Sequence, residues 1–169
     1  RRDSAGRRVC QAVADIPLET HSAEVLRKTR LHLDASRPAS LLAERLLLVE
    51  GVTEAAVLRE LGWVWANADP DKQSFVDALS IVPMGTKVGP WAVRLLATQG
   101  HELCSRLAVL RDSDLDYDQT PTPPSWASEH NSNVLLVEHN HPTLEPQLTK
   151  GNEKLISGAL KDIGVAVPK

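Results

Sequence analysis

The stretch LLLVEGVTEAAVLRELG, Leu46 to Gly62, decides how this chain is read. Four aliphatic residues, Leu46 to Val49, run straight into Glu50, and a second glutamate, Glu54, follows four residues later. An unbroken apolar run of this length, closed by a glycine, suits a strand buried on both faces. The segment TEAAVLRELGWVW behind it has the length and composition of a helix. A carboxylate at the tip of such a strand has little access to bulk water and needs a hydrogen-bonding or ionic partner. Gly51 is read as the residue that permits a tight strand-to-helix turn and Thr53 as the helix N-cap. Glu54 then lies in the first helical turn, where complementing the helix dipole is its plainest role.

The same alternation continues downstream. LSIVPMG (79–85), RLAVLRD (106–112) and NVLLVEHN (133–140) read as further strands. GPWAVRLLATQG (89–100), TLEPQL (143–148) and NEKLISGALKDIG (152–164) read as helical, the last stopping at Gly164 as a helix end favours. This order predicts an α/β fold: a mostly parallel sheet of about four strands, flanked by helices on both faces. Upstream, HSAEVLRKTRLHLDASRP (21–38) predicts an N-terminal helix capped near Thr20 or Ser22 and ended before Pro38. Residues 1–44 are therefore expected to be a helical or linking segment and 45–169 the α/β domain. A chain that opens on RRDSAGRR is expected to be a fragment, with another domain before Arg1. The Pro-, Ser- and Asn-rich stretch 119–133 is the one candidate for a flexible loop.

Composition narrows the function classes. With 42% hydrophobic and 24% charged residues among 169, the chain is an ordinary globular protein. It has no run of about 18 apolar residues, and its arginine-rich start lacks the apolar segment of a secretory signal. A cytoplasmic location away from membranes is expected. Cys10 and Cys104 have no zinc-knuckle spacing and read as plain thiols. The overall charge of −3 divides into +3 over residues 1–45 and −6 over 46–169. That balance argues against a generally basic nucleic-acid surface, unless metal ions reverse the sign where carboxylates cluster. Arg1, Arg2, Arg7 and Arg8 read as a solvated terminus, or as a contact with the preceding domain or DNA.

Carboxylates do cluster, in LAVLRDSDLDYD (107–118), where Asp112, Asp114, Asp116 and Asp118 alternate. Like charges this close push up one another's pKa values, and a divalent cation relieves them. Ligands of an open parallel sheet bind outside the carboxyl ends of its strands, so Glu50 and Asp112 are expected to face one crevice. Mg²⁺ takes one or two carboxylates per ion. Asp112 and Asp114 form the strongest pair, while Asp116 and Asp118 serve equally well as a solvated turn. A calcium loop starting at Asp112 fails, because Tyr117 stands where glycine is required and Pro123 where glutamate is. PMGTKVG (83–89) lacks the spacing of a phosphate loop, which leaves Lys87 as a phosphate contact or a solvated side chain. His139 and His141 have no third ligand at metal spacing and read as loop histidines contacting phosphate or solvent. Trp63, Trp65, Trp91 and Trp126 read as core or domain contacts, with Trp126 the one to test for base stacking.

LLLVEGVTEAAVL followed by LAVLRDSDLD resembles a TOPRIM (topoisomerase-primase) domain, whose signature is a glutamate after the first strand and a DxD after the third. More narrowly, VEGxTE, the HSAEVLRKTRLHLDASRP lead-in and HPTLEPQL (141–148) resemble the C-terminal nuclease region of the overcoming lysogenisation defect (OLD) family, over residues 20 to 165. The resemblance implies a metal-dependent DNA endonuclease using two divalent cations, Mg²⁺ or Mn²⁺. It implies Glu50, Glu54, Asp112, Asp114 and Glu145 as metal ligands, with Asp116 at a further acidic position and Ser113 assisting. Glu50 and Asp112 are then catalytic, together with a late basic residue for which Lys169 is the first match and Lys161 the second. It further implies DNA as partner, an ATPase domain earlier in the full-length chain that governs oligomerisation, and a part in phage defence. Glu145 has a plainer reading as first-turn acid behind a Thr143 cap. Two other functions compete. A haloacid-dehalogenase-like phosphatase would use Asp112 as nucleophile, although that fold carries its DxD on the first strand. A non-catalytic DNA- or protein-binding module would keep the acidic residues as a vestige.

Overall fold

The structure is a computed structural model and describes residues 3, 5–33 and 41–166. The chain is α/β, with a four-stranded, all-parallel sheet flanked by helices. Contacts divide it into two compact units, Arg1–Arg111 with Thr122–Glu138, and Asp112–Pro121 with His139–Lys169.

The strands are β1 (Arg45–Val49), β2 (Ser80–Pro83), β3 (Arg106–Asp112) and β4 (Leu135–Asn140), in the order β2-β1-β3-β4. β1 is an inner strand, with Leu46 opposite Ser80 on β2 and Leu107 on β3. An inner strand of a parallel sheet meets neighbours on both edges and both faces, which is why its sequence is an apolar run rather than an alternation. All four strands lie where the aliphatic runs predict them.

In the first unit, α1 (Ser22–Leu33) packs with α4 (Pro90–Ala97), and α2 (Val52–Ala66) lies against β1 and β2. Helix α4 opens with Pro at its first position, where a missing N–H costs nothing, and buries Trp91, Ala92, Val93, Leu95, Leu96 and Ala97. These residues share one core with Leu46, Leu48, Leu107 and Val109 from the sheet. Each aliphatic side chain fully buried there contributes on the order of 1.5–3 kcal/mol. Ile16, Leu18 and Val25 belong to the same core, so the segment before residue 45 supplies part of it.

A helix that the sequence reading passed over, α3 (Pro70–Ala78), follows α2. Its start is fixed by Asp69, whose carboxylate accepts the N–H groups of Asp71 and Lys72 at 3.0 and 3.2 Å. Gly62 lets α2 and α3 approach, since a Cβ there would lie 3.2 Å from Val76. The corner between them puts Asn67 and Ala68 at φ 43° and 62°. The left-handed conformation costs an alanine about 1–2 kcal/mol relative to glycine. Ala68→Gly is therefore expected to stabilise the protein by about 1 kcal/mol, read as a raised midpoint in urea unfolding; an unchanged or lowered midpoint contradicts the strain.

Part of the stretch expected to be flexible is instead packed. Ser125–Glu129 forms a 3-10 turn, Trp126 lies partly buried against the core, and the Arg111 guanidinium sits 5.7 Å from the centre of its ring. Arg94 and Glu129 close the turn with a 3.1 Å ion pair. Trp126 is thus already covered by a cation on one side.

The second unit carries α5 (Leu144–Thr149) and α6 (Glu153–Asp162). The Gly151 N–H donates to Glu153 Oε1 at 2.9 Å and holds that carboxyl below its ordinary value. A depressed carboxyl favours the fold above the ordinary carboxylate range and loses that contribution as pH falls through the lowered value. No helix among the described residues is long and apolar enough to cross a membrane.

Candidate functional site

In the first unit, Glu50 leaves β1 at its carboxyl end and is half-buried. The chain is pinned there from β2's side: Met84 N–H donates to the Val49 carbonyl at 2.9 Å, and Gly85 N–H to the Glu50 carbonyl at 2.8 Å. Gly51 has φ −126° and ψ 175°, ordinary extended backbone that any residue adopts. The reason for a glycine is therefore not the turn expected from the sequence but close approach, because a Cβ would stand 2.8 Å from Glu54 Oε2. Glu54 is 9% exposed, and its Oε2 accepts the Gly51 N–H at 3.0 Å. The N-cap is Gly51 rather than Thr53, because α2 begins at Val52. Glu54 thus lies in the first turn of α2, where the sequence places it, and also closes the cap by accepting the N-cap N–H.

In the second unit, Asp112 closes β3 and Asp114 follows on a sharp turn. Asp114 has φ 55°, a left-handed conformation that Asp and Asn tolerate better than other side-chain-bearing residues. Several hydrogen bonds tie this turn to residues 140–142. Ser113 N–H reaches the carbonyls of Asn140 (2.9 Å) and Pro142 (3.1 Å), and Asp114 N–H reaches the Pro142 carbonyl at 3.1 Å. Asn140, only 5% exposed, donates from Nδ2 to Asp112 Oδ1 at 3.1 Å. Ser113 Oγ lies 2.9 Å from His141 Nδ1 and 3.2 Å from the Pro142 carbonyl. The other ring nitrogen, His141 Nε2, lies 3.3 Å from the Tyr117 carbonyl. His141 therefore contacts the acidic turn itself, where the sequence reading gave it phosphate or solvent.

The remaining acidic candidates are exposed. The Asp116 carbonyl accepts from Gln119 N–H at 3.0 Å, the geometry of a turn. Glu145 sits in the first turn of α5, and its Oε2 accepts the Thr143 hydroxyl at 2.9 Å. Thr143 holds the N-cap position, yet its side chain caps no backbone N–H. Lys161 lies exposed in the last turn of α6. Lys169 lies outside the described residues.

The donor chemistry suits a hard divalent cation, every candidate ligand being a carboxylate. Among the described residues no group of three or more His, Cys, Asp or Glu side chains is gathered so as to hold a metal ion. What the second unit does present is Asp112, held in orientation by a buried amide, beside an aspartate on a strained turn. Asp114→Asn keeps the side-chain shape and the tolerance for positive φ while removing the charge. Its unfolding midpoint is expected to stay within about 0.5 kcal/mol of wild type, whereas Asp114→Val should lose about 1–2 kcal/mol; equal stabilities would mean that the turn is not strained.

Of the tryptophans, Trp91 is buried and Trp63 and Trp65 are exposed. Trp65 meets Phe75 edge-on at 6.2 Å, with the Lys72 ammonium 5.0 Å from the Trp65 ring centre. Cys10 is an exposed thiol and Cys104 a buried one.

Comparison with known proteins gives no match: no protein-family model, no curated protein and no solved structure matches the chain.

Proposed function

We propose that this chain is the TOPRIM nuclease part of an OLD-family ATPase-nuclease, hydrolysing DNA phosphodiesters with two bound Mg²⁺ or Mn²⁺ ions. One observation carries the reading: a glutamate leaves β1 directly, an aspartate closes β3 with a second two residues on, and the two strands are parallel neighbours. Strand ends of this kind are where open α/β sheets do their chemistry. Glu50, Glu54, Asp112, Asp114, Asp116 and Glu145 are the residues that would hold the ions.

Bound there, such ions supply a water of lowered pKa and a positive field for the leaving oxygen. The chain's own contribution is to deliver and aim carboxylates. Glu54 offers a rigid one, since its helix fixes it through the Gly51 N–H. Asp112 offers one whose rotation is restrained by Asn140. A late lysine, Lys169 or Lys161, neutralises charge building on the phosphate. An ATPase domain elsewhere in the full-length chain controls assembly, the whole acts in the cytoplasm, and its role is defence against phage DNA.

The test is incubation of supercoiled plasmid DNA with the protein and Mn²⁺, with and without a chelator. Nicking or linearisation that depends on Mn²⁺ supports the proposal. Intact plasmid together with hydrolysis of p-nitrophenyl phosphate would instead favour a phosphatase with Asp112 as nucleophile. Calorimetry that finds no Mn²⁺ binding would favour a non-catalytic module.

A further inference from the structure

The contacts around residues 140–142 do more than close a loop. Asn140 is a buried polar side chain whose Nδ2 donates to Asp112. Burial of an amide costs free energy unless it is hydrogen-bonded, so its placement against a carboxylate is specific. Ser113 is held on both its backbone and its hydroxyl by Asn140, His141 and Pro142. His141 is in turn fixed by the Tyr117 carbonyl. Every one of these residues lies in the second unit.

We infer that Asn140, Ser113 and His141 are positioning residues for Asp112 and Asp114, holding the two carboxylates in the orientation that a divalent cation requires. The inference rests on the nuclease reading. None of the three touches the cation or the phosphate. Asn140 donates to one oxygen of Asp112 and so restricts how the carboxylate can rotate. Ser113, anchored by His141, fixes the backbone between the aspartates and thereby the distance their side chains span. Outer contacts of this kind typically change metal affinity or activity by about 10–100-fold when removed.

The experiment titrates Mn²⁺ into the whole chain by calorimetry, for wild type, Asn140→Ala, Ser113→Ala, His141→Ala and His141→Asn. Thermal unfolding of each variant checks the fold. Ser113→Ala keeps the backbone-to-backbone hydrogen bonds of the turn, so it remains informative if the buried Asn140→Ala fails to fold. The expected result is a Kd for Mn²⁺ raised about tenfold or more in Asn140→Ala and at least severalfold in Ser113→Ala and His141→Ala. His141→Asn should recover part of the loss, because its amide can occupy the Nδ1 position facing Ser113. Plasmid cleavage should show a higher Mn²⁺ requirement with KM for DNA unchanged, a split that a merely destabilised fold does not produce. Wild type that binds Mn²⁺ with variants that bind it equally well overturns this inference and leaves the nuclease reading standing. Wild type that binds no Mn²⁺ overturns both.

Discussion

Asp112→Asn is expected to leave the protein folded and to remove the Mn²⁺-dependent plasmid cleavage proposed for it. The substitution is nearly isosteric, and the new amide oxygen still accepts from Asn140 Nδ2, so the 3.1 Å contact survives. What disappears is the negative charge at the end of β3. Losing an outer contact of a metal site costs about 10–100-fold, and losing a ligand itself should cost more than that in the cleavage rate. Glu50→Gln should behave alike, since Glu50 occupies the corresponding position after β1. Thermal unfolding of both variants should match wild type closely. Wild-type-like nicking by either one is incompatible with the proposed chemistry.

The second large effect concerns the sheet. Leu48, 1% exposed, sits on inner strand β1 opposite Val82 and Val109. Truncation to alanine removes three buried carbons where neighbouring strands cannot close the gap, and such changes cost about 2–5 kcal/mol. For a chain of this size each kcal/mol lowers Tm by roughly 2–4 °C. Leu48→Ala should therefore melt well below wild type and show a reduced urea midpoint. A loss below about 1 kcal/mol would mean that β1 is not buried as described.

These two residues mark what the letters reveal and what they hide. Leu46 to Val49 announce an inner strand because parallel pairing forces apolar side chains onto both faces, and the other aliphatic runs follow the same rule. The acidic motifs were legible for the same reason, as polar residues terminating apolar runs. Helix α3 was not, because PDKQSFVDA has only Phe75 and Val76 as large apolar residues and gives no helical period. Its capping aspartate and first-position proline were the available signals. Gly51 was read for its conformational freedom, whereas its actual constraint is the carboxylate of Glu54 pressed against it, a tertiary fact no local pattern contains. Asn140 and His141 were hardest of all. Their roles are hydrogen bonds across 28 residues of chain, and nothing in HNHP taken alone points to the aspartates it supports.

Ser113 and His141 also close a ring of contacts. Ser113 Oγ lies within hydrogen-bond reach of both His141 Nδ1 and the Pro142 carbonyl. With its other nitrogen against the Tyr117 carbonyl, the imidazole spans from Ser113 to Tyr117, so the stretch that carries Asp114 and Asp116 is laced shut by a residue 24 positions beyond it.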